Sequence, residues 1–120
     1  MDRTFLLAGA VAGLIGVAFG AFGAHGLRGR LTPEMLAVFE TGVRYQMYHA
    51  LALLLVAALS PQMPGKAMAA AGWLFIGGIV IFSGSLYLLA VTGVTVLGAI
   101  TPIGGVALLA GWASLIVASL

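Results

Sequence analysis

The chain has 120 residues, 62% of them hydrophobic, with five basic and three acidic side chains and a formal net charge of +2. Only 7% of its residues are charged, against roughly 25% in an ordinary soluble domain, too few to clothe a water-soluble surface. The composition excludes a soluble globular domain. So small a charge excess argues against nucleic-acid binding, and a chain without cysteine has neither disulfides nor thiolate metal sites.

The charges are Asp2, Arg3, Arg28, Arg30, Glu34, Glu40, Arg44 and Lys66, and none comes after Lys66. A long uncharged apolar span is ordinary in lipid, where helices satisfy their own backbone. The reading is a single-domain, all-α integral membrane four-helix bundle, with helices over about 4–24, 33–59, 67–91 and 102–120.

The first apolar run begins after Arg3 and ends in small residues, which imitates a signal peptide. At about 20 residues it exceeds a signal core and spans a ~30 Å hydrocarbon layer, so a transmembrane helix is expected. Gly9, Gly13, Gly16, Gly20 and Gly23 recur every three or four residues and form a stripe roughly 80° wide. Such a face lets a second backbone approach closely. It suits packing inside the protomer or a seam with another copy or a larger complex.

A loop over 25–31 comes next, in which Gly26 and Gly29 can end the helix and Arg28 and Arg30 suit lipid headgroups. Thr32-Pro33-Glu34 has the chemistry of a helix start: an N-cap hydroxyl, a proline in the first position and an acid at the positive helix end. The helix it opens, about 27 residues, exceeds the membrane core. An amphipathic, interfacial start is predicted, with Tyr45 and Tyr48 at headgroup level and His49 about one turn deeper.

Pro61, Pro64 and Gly65 mark the second loop. The third helix carries a small, partly polar middle around Ser83, Gly84 and Ser85. The stretch 92–101, uncharged and rich in glycine and threonine, reads as a connection, with Pro102 starting the last helix. The order is up-down-up-down. The positive-inside rule leans by one residue towards a cytoplasmic first loop.

Gly20-Ala21-Phe22-Gly23-Ala24-His25-Gly26-Leu27 resembles the hallmark of a family of small four-helix membrane proteins of unknown function, domain-of-unknown-function family 423. Its members include bacterial YgdD-like and YwdK-like proteins and eukaryotic transmembrane protein 256. Tyr48-His49-Ala50-Leu51, the segment from Phe82 to Ala90 and the segment from Leu97 to Gly105 match as well. The resemblance touches all four helices. It implies a multi-pass protein of the cell (inner) membrane and no known reaction or cofactor.

Intramembrane ionisable residues are functional candidates by default, so His25, His49, Tyr48, Ser83 and Ser85 form the candidate ligand site. The two histidines are expected near the same membrane face. They either hydrogen-bond within the bundle, bind a lipid, quinone or other small ligand, or ligate a metal or haem. Two histidines without a third ligand are a weak metal signal, so no metal or cofactor is assigned. The carboxylates stand too far from His49 for a triad, so no catalytic residue is expected. The leading expectation is a non-enzymatic structural or accessory subunit, in a homo-oligomer or a larger membrane complex, with the lipid bilayer as its surroundings. The rival is a small membrane binder or carrier.

Overall fold

A computed structural model describes residues 2–120. Four helices account for nearly all of it: α1 (Arg3–Leu27), α2 (Pro33–Leu59), α3 (Lys66–Thr92) and α4 (Leu97–Ser119), each long and apolar enough to cross a membrane. The molecule is an all-α membrane bundle.

The helix starts obey local chemistry. The Asp2 carboxylate accepts from the Thr4 and Phe5 amides at 3.0 and 3.3 Å, and Thr32 Oγ1 accepts from the Met35 amide at 3.1 Å, each satisfying donors that a first turn leaves orphaned. At the other end of α3, Gly93 adopts φ +72° and its amide caps the Leu89 carbonyl at 2.8 Å, a left-handed C-cap that glycine enters without steric cost.

Two boundaries differ from the sequence reading. The first helix does not end at residue 24; it continues through His25 and Gly26 to Leu27, and the positive φ falls on Gly29 instead. The last helix starts at Leu97, not Pro102, so Pro102 and Thr101 lie inside it. Tight backbone bonds from Leu97, Gly98 and Ala99 to Val94, Thr95 and Val96 lead straight into α4. Unmade backbone bonds are costly in an apolar medium, so the chain stays helical up to the turn. Pro102 removes only one ladder bond, and its own φ already suits a helix.

Neighbouring helices run antiparallel. Gly9 faces Ala50 and Gly23 faces Phe39; Gly42 faces Tyr87; Gly78 faces Leu108 and Gly104 faces Phe82. The helices do not form a square. Extents of 48 × 26 × 17 Å describe a flattened bundle. Helices α2 and α3 form its central pair, with α1 and α4 on the flanks. Among the described residues no hydrogen bond or aromatic pair joins α1 to α4.

Phe5, Leu53, Val56, Met68 and Phe75 are among the core residues packed around the half of the bundle nearest the chain start. The other half is more polar and more aromatic. It contains a five-residue π-helical turn in α1, Phe19–Gly23, and another in α3, Ile79–Ser83. A π turn adds a residue to the helical repeat and shifts the phase of every later residue in the helix. Phe19, which opens the α1 π turn, packs against Phe39 and Tyr87, with ring centroids 5.9 and 5.0 Å away.

Candidate functional site

Helix α2 is the hub of the buried polar groups. Gln46 Nε2 donates to the Ala12 carbonyl of α1 at 2.8 Å, and Gln46 Oε1 accepts from the Tyr87 hydroxyl of α3 at 2.6 Å. Ser83 of α3 donates to the Gly42 carbonyl at 2.7 Å. Trp112 Nε1 of α4 donates to His49 Nε2 at 3.0 Å. One helix is therefore tied to each of the other three. A mean interhelix bond in lipid is worth only ~0.6 kcal/mol, so these bonds act more on register than on total stability.

His49 is 5% exposed. Its Nδ1 lies 2.6 Å from the Tyr45 carbonyl. A carbonyl only accepts and an indole N–H only donates, so the ring is the neutral tautomer with hydrogen on Nδ1. Its one lone pair on Nε2 is engaged by Trp112, which leaves neither nitrogen free to ligate a metal or haem in this arrangement.

His25 stands elsewhere. It is exposed on the last turn of α1, a turn that continues beyond the Gly23–Phe39 level. By helix rise it lies about 18 Å along the bundle from His49. The expected closeness of the two histidines is thus not found: His25 stands level with the first turns of α2, while His49 sits past the middle of that helix. No group of three His, Asp or Glu side chains suited to a metal ion exists among the described residues.

Ser83 and Ser85 are buried but on different business. Ser85 Oγ shares a 2.6 Å bond with Thr101 Oγ1 of α4 and donates to the Phe82 carbonyl. Tyr48 is half exposed and packs edge-on against Tyr45 with centroids 5.7 Å apart. Of the predicted set, Tyr48 and His49 alone line a common groove, of about 640 Å³, between α2 and α4. Tyr45, Phe82, Pro102 and Trp112 line it too.

Sequence reasoning missed Gln46, Thr101 and Trp112 as site residues and gave Tyr87 no partner. Gln46 was findable, as an uncharged amide side chain between Tyr45 and Tyr48 in a helix read as spanning the membrane. Trp112 carried no such signal.

Gly9, Gly16, Gly20 and Gly23 of α1 face α2. A Cβ on Gly9 would meet the Ala50 carbonyl at 2.9 Å, on Gly20 the Val43 side chain at 3.1 Å, and on Gly23 the Phe39 ring at 3.1 Å, while Gly16 abuts Met47. Gly13 has no neighbour within 4 Å. Four of the five stripe glycines thus pack within the protomer, and Gly13 does not.

The exposed ridge of α2 runs Glu40, Arg44, Tyr48, Leu51, Leu55, passing from charged through aromatic to aliphatic along the axis. That gradient, four spanning helices and an interior in which, among the described residues, every buried side-chain polar atom is satisfied define a small multi-pass membrane protein. The model of the family described as "Protein of unknown function (DUF423)" matches residues 19–105, a stretch that opens at the first π turn. Relatives cover almost the whole chain. UPF0382 membrane protein YwdK of Bacillus subtilis is 50% identical over 98% of this chain and 96% of its own. UPF0382 membrane protein SH2409 of Staphylococcus haemolyticus is 46% identical over 98% and 95%, and SERP0230 of Staphylococcus epidermidis is 48% identical over 98% and 96%. No solved structure matches. The chain belongs to the DUF423 family of membrane proteins, whose function is unknown.

Proposed function

We propose that this protein is a non-catalytic accessory subunit of the cell membrane that assembles sideways, with further copies of itself or with a larger membrane complex. The observation that carries this reading is the use of the buried polar groups. His49, Gln46, Ser83, Ser85 and Tyr87 are all engaged within the bundle, so none of these side chains is left aimed at a substrate. What remains available lies outside. Helices α1 and α4 have only 22% and 17% of their spans buried, so the flanks carry the surface that association would use. The relatives are bacterial and are named membrane proteins, which supports the cell membrane as its location. A quinone or haem held jointly by His25 and His49 draws no support from their separation.

The chain has no cysteine, so single cysteines report contacts directly. Cysteines placed at Leu14 on α1 and Ile103 on α4, 72% and 62% exposed and both outside the α2/α4 groove, are oxidised in native membranes. Cross-linking at one ridge, to a second copy or to a stoichiometric partner, is the expected result. Absence of cross-links along both ridges, with a bare 12.2 kDa chain in native mass spectrometry, overturns the assembly reading.

A further inference from the structure

The α2/α4 groove opens sideways into the bilayer, and its occupant must come from there. Its walls are aromatic and aliphatic and include no carboxylate, ammonium or guanidinium group; the body of the occupant is therefore a hydrocarbon chain. Pro102 and Trp112 stand at opposite ends of the α4 wall, ten residues apart, or about 15 Å. That is half of a ~30 Å hydrocarbon core, the depth of one leaflet.

The Pro102 end is the charged end. Arg44 precedes Tyr45 and sits one turn before Tyr48 on the exposed ridge of α2. Helical side chains lean towards the helix start, so Arg44 and both tyrosines reach towards the same membrane face, where Arg28 and Arg30 are also exposed. Arginine there snorkels to the headgroups and favours phosphate. The Tyr45 and Tyr48 hydroxyls have no hydrogen-bond partner among the described residues, and two bare O–H donors at this depth call for an acceptor from outside the protein.

We propose that this groove seats one acyl chain of an anionic phospholipid, with the phosphate held by Arg44 and the Tyr45 and Tyr48 hydroxyls and the chain descending to Trp112. This holds for a monomer as for an assembly, because the groove lies within one protomer.

Trp112 reports on the site. The chain has two tryptophans, so Trp73→Phe leaves Trp112 alone. That variant is reconstituted in phosphatidylcholine vesicles and titrated with phosphatidylglycerol or phosphatidylcholine brominated in the acyl chain, which quenches indole fluorescence on contact. Brominated phosphatidylglycerol is expected to reach half-quenching at about fivefold lower mole fraction. Arg44→Gln brings the two lipids together, while Arg44→Lys keeps the preference and controls for folding. Equal quenching by both lipids, or a preference that survives Arg44→Gln, overturns the site. Indole shielded from both lipids shows the groove filled by protein and overturns it as well. Cross-linking at the outer ridges reads the assembly independently of this outcome.

Discussion

Gly104 and Gly105 are adjacent on α4 and chemically identical, yet their surroundings differ sharply. A methyl group on Gly104 would overlap the backbone of Phe82, lying 2.7 Å from its Cα and 2.8 Å from its Cβ. A methyl on Gly105 would lie 3.7 Å from the Phe82 ring, an ordinary contact. Carbon atoms pack at ~3.5–4.0 Å, so Gly104→Ala forces α3 and α4 apart by about 1 Å. Backbone cannot rotate aside as a side chain does. A gap of that size forfeits roughly a quarter to a half of the dispersion energy of each affected contact, and overpacking of this kind costs about 1–3 kcal/mol. Alanine is also a better helix former than glycine by up to ~1 kcal/mol, which offsets part of the cost at Gly104 and is uncompensated gain at Gly105. The expected result is a loss of about 1–2 kcal/mol for Gly104→Ala and no loss for Gly105→Ala, read from SDS-driven unfolding in bicelles by far-UV circular dichroism. The same displacement would stretch the Ser85–Thr101 bond one turn away. Equal stability of the two variants would refute close backbone contact between α3 and α4 at Phe82.

Replacing Gln46 with Leu removes the bonds to Ala12 and Tyr87 together and should cost about 1–2 kcal/mol; in a double-mutant cycle with Tyr87→Phe the losses should be less than additive, and strict additivity would deny the 2.6 Å bond. Nitrogen-15 NMR of labelled histidine should show hydrogen on Nδ1 of His49, with its Nε2 resonance shifting in Trp112→Phe; a ring with hydrogen on Nε2 would contradict the pairing. His25→Ala should leave unfolding unchanged within about 0.5 kcal/mol, because the side chain is exposed. Gly9→Val should weaken α1–α2 packing by about 1–3 kcal/mol, whereas Gly13→Ala should be harmless, since nothing lies within 4 Å of it; equal effects at the two glycines would mean that the stripe does not face α2.

Much of the molecule was legible before any coordinates. Composition alone required a membrane, because the few charges cluster at chain positions that become helix ends or the start of α2, and long apolar runs have one good conformation in lipid. The cap at Thr32 and the proline at position 33 act within a turn of themselves, so their chemistry can be read locally. The family hallmark was equally visible as a string of residues.

The tertiary structure decided what depends on neighbours distant in sequence. Whether Pro102 starts a helix or lies inside one depends on whether the preceding residues can keep their backbone bonds, which the turn at Gly93 settled. The two π turns shift the phase of α1 and α3 by an amount that no periodicity in their residues announces. Ser83, the last residue of the α3 π turn, meets Gly42. Spacing placed His25 and His49 at the ends of adjacent runs and suggested a pair, but antiparallel register sets the end of α1 against the first turns of α2 and leaves His49 deeper in the bundle. The sequence named the histidine; only packing could supply Trp112, 63 positions away, as the group that occupies its lone pair. Identity and local bonding come from short-range chemistry along the chain. Register, separation and mutual contact come from how four nearly featureless apolar surfaces interdigitate, which is a property of the surfaces together.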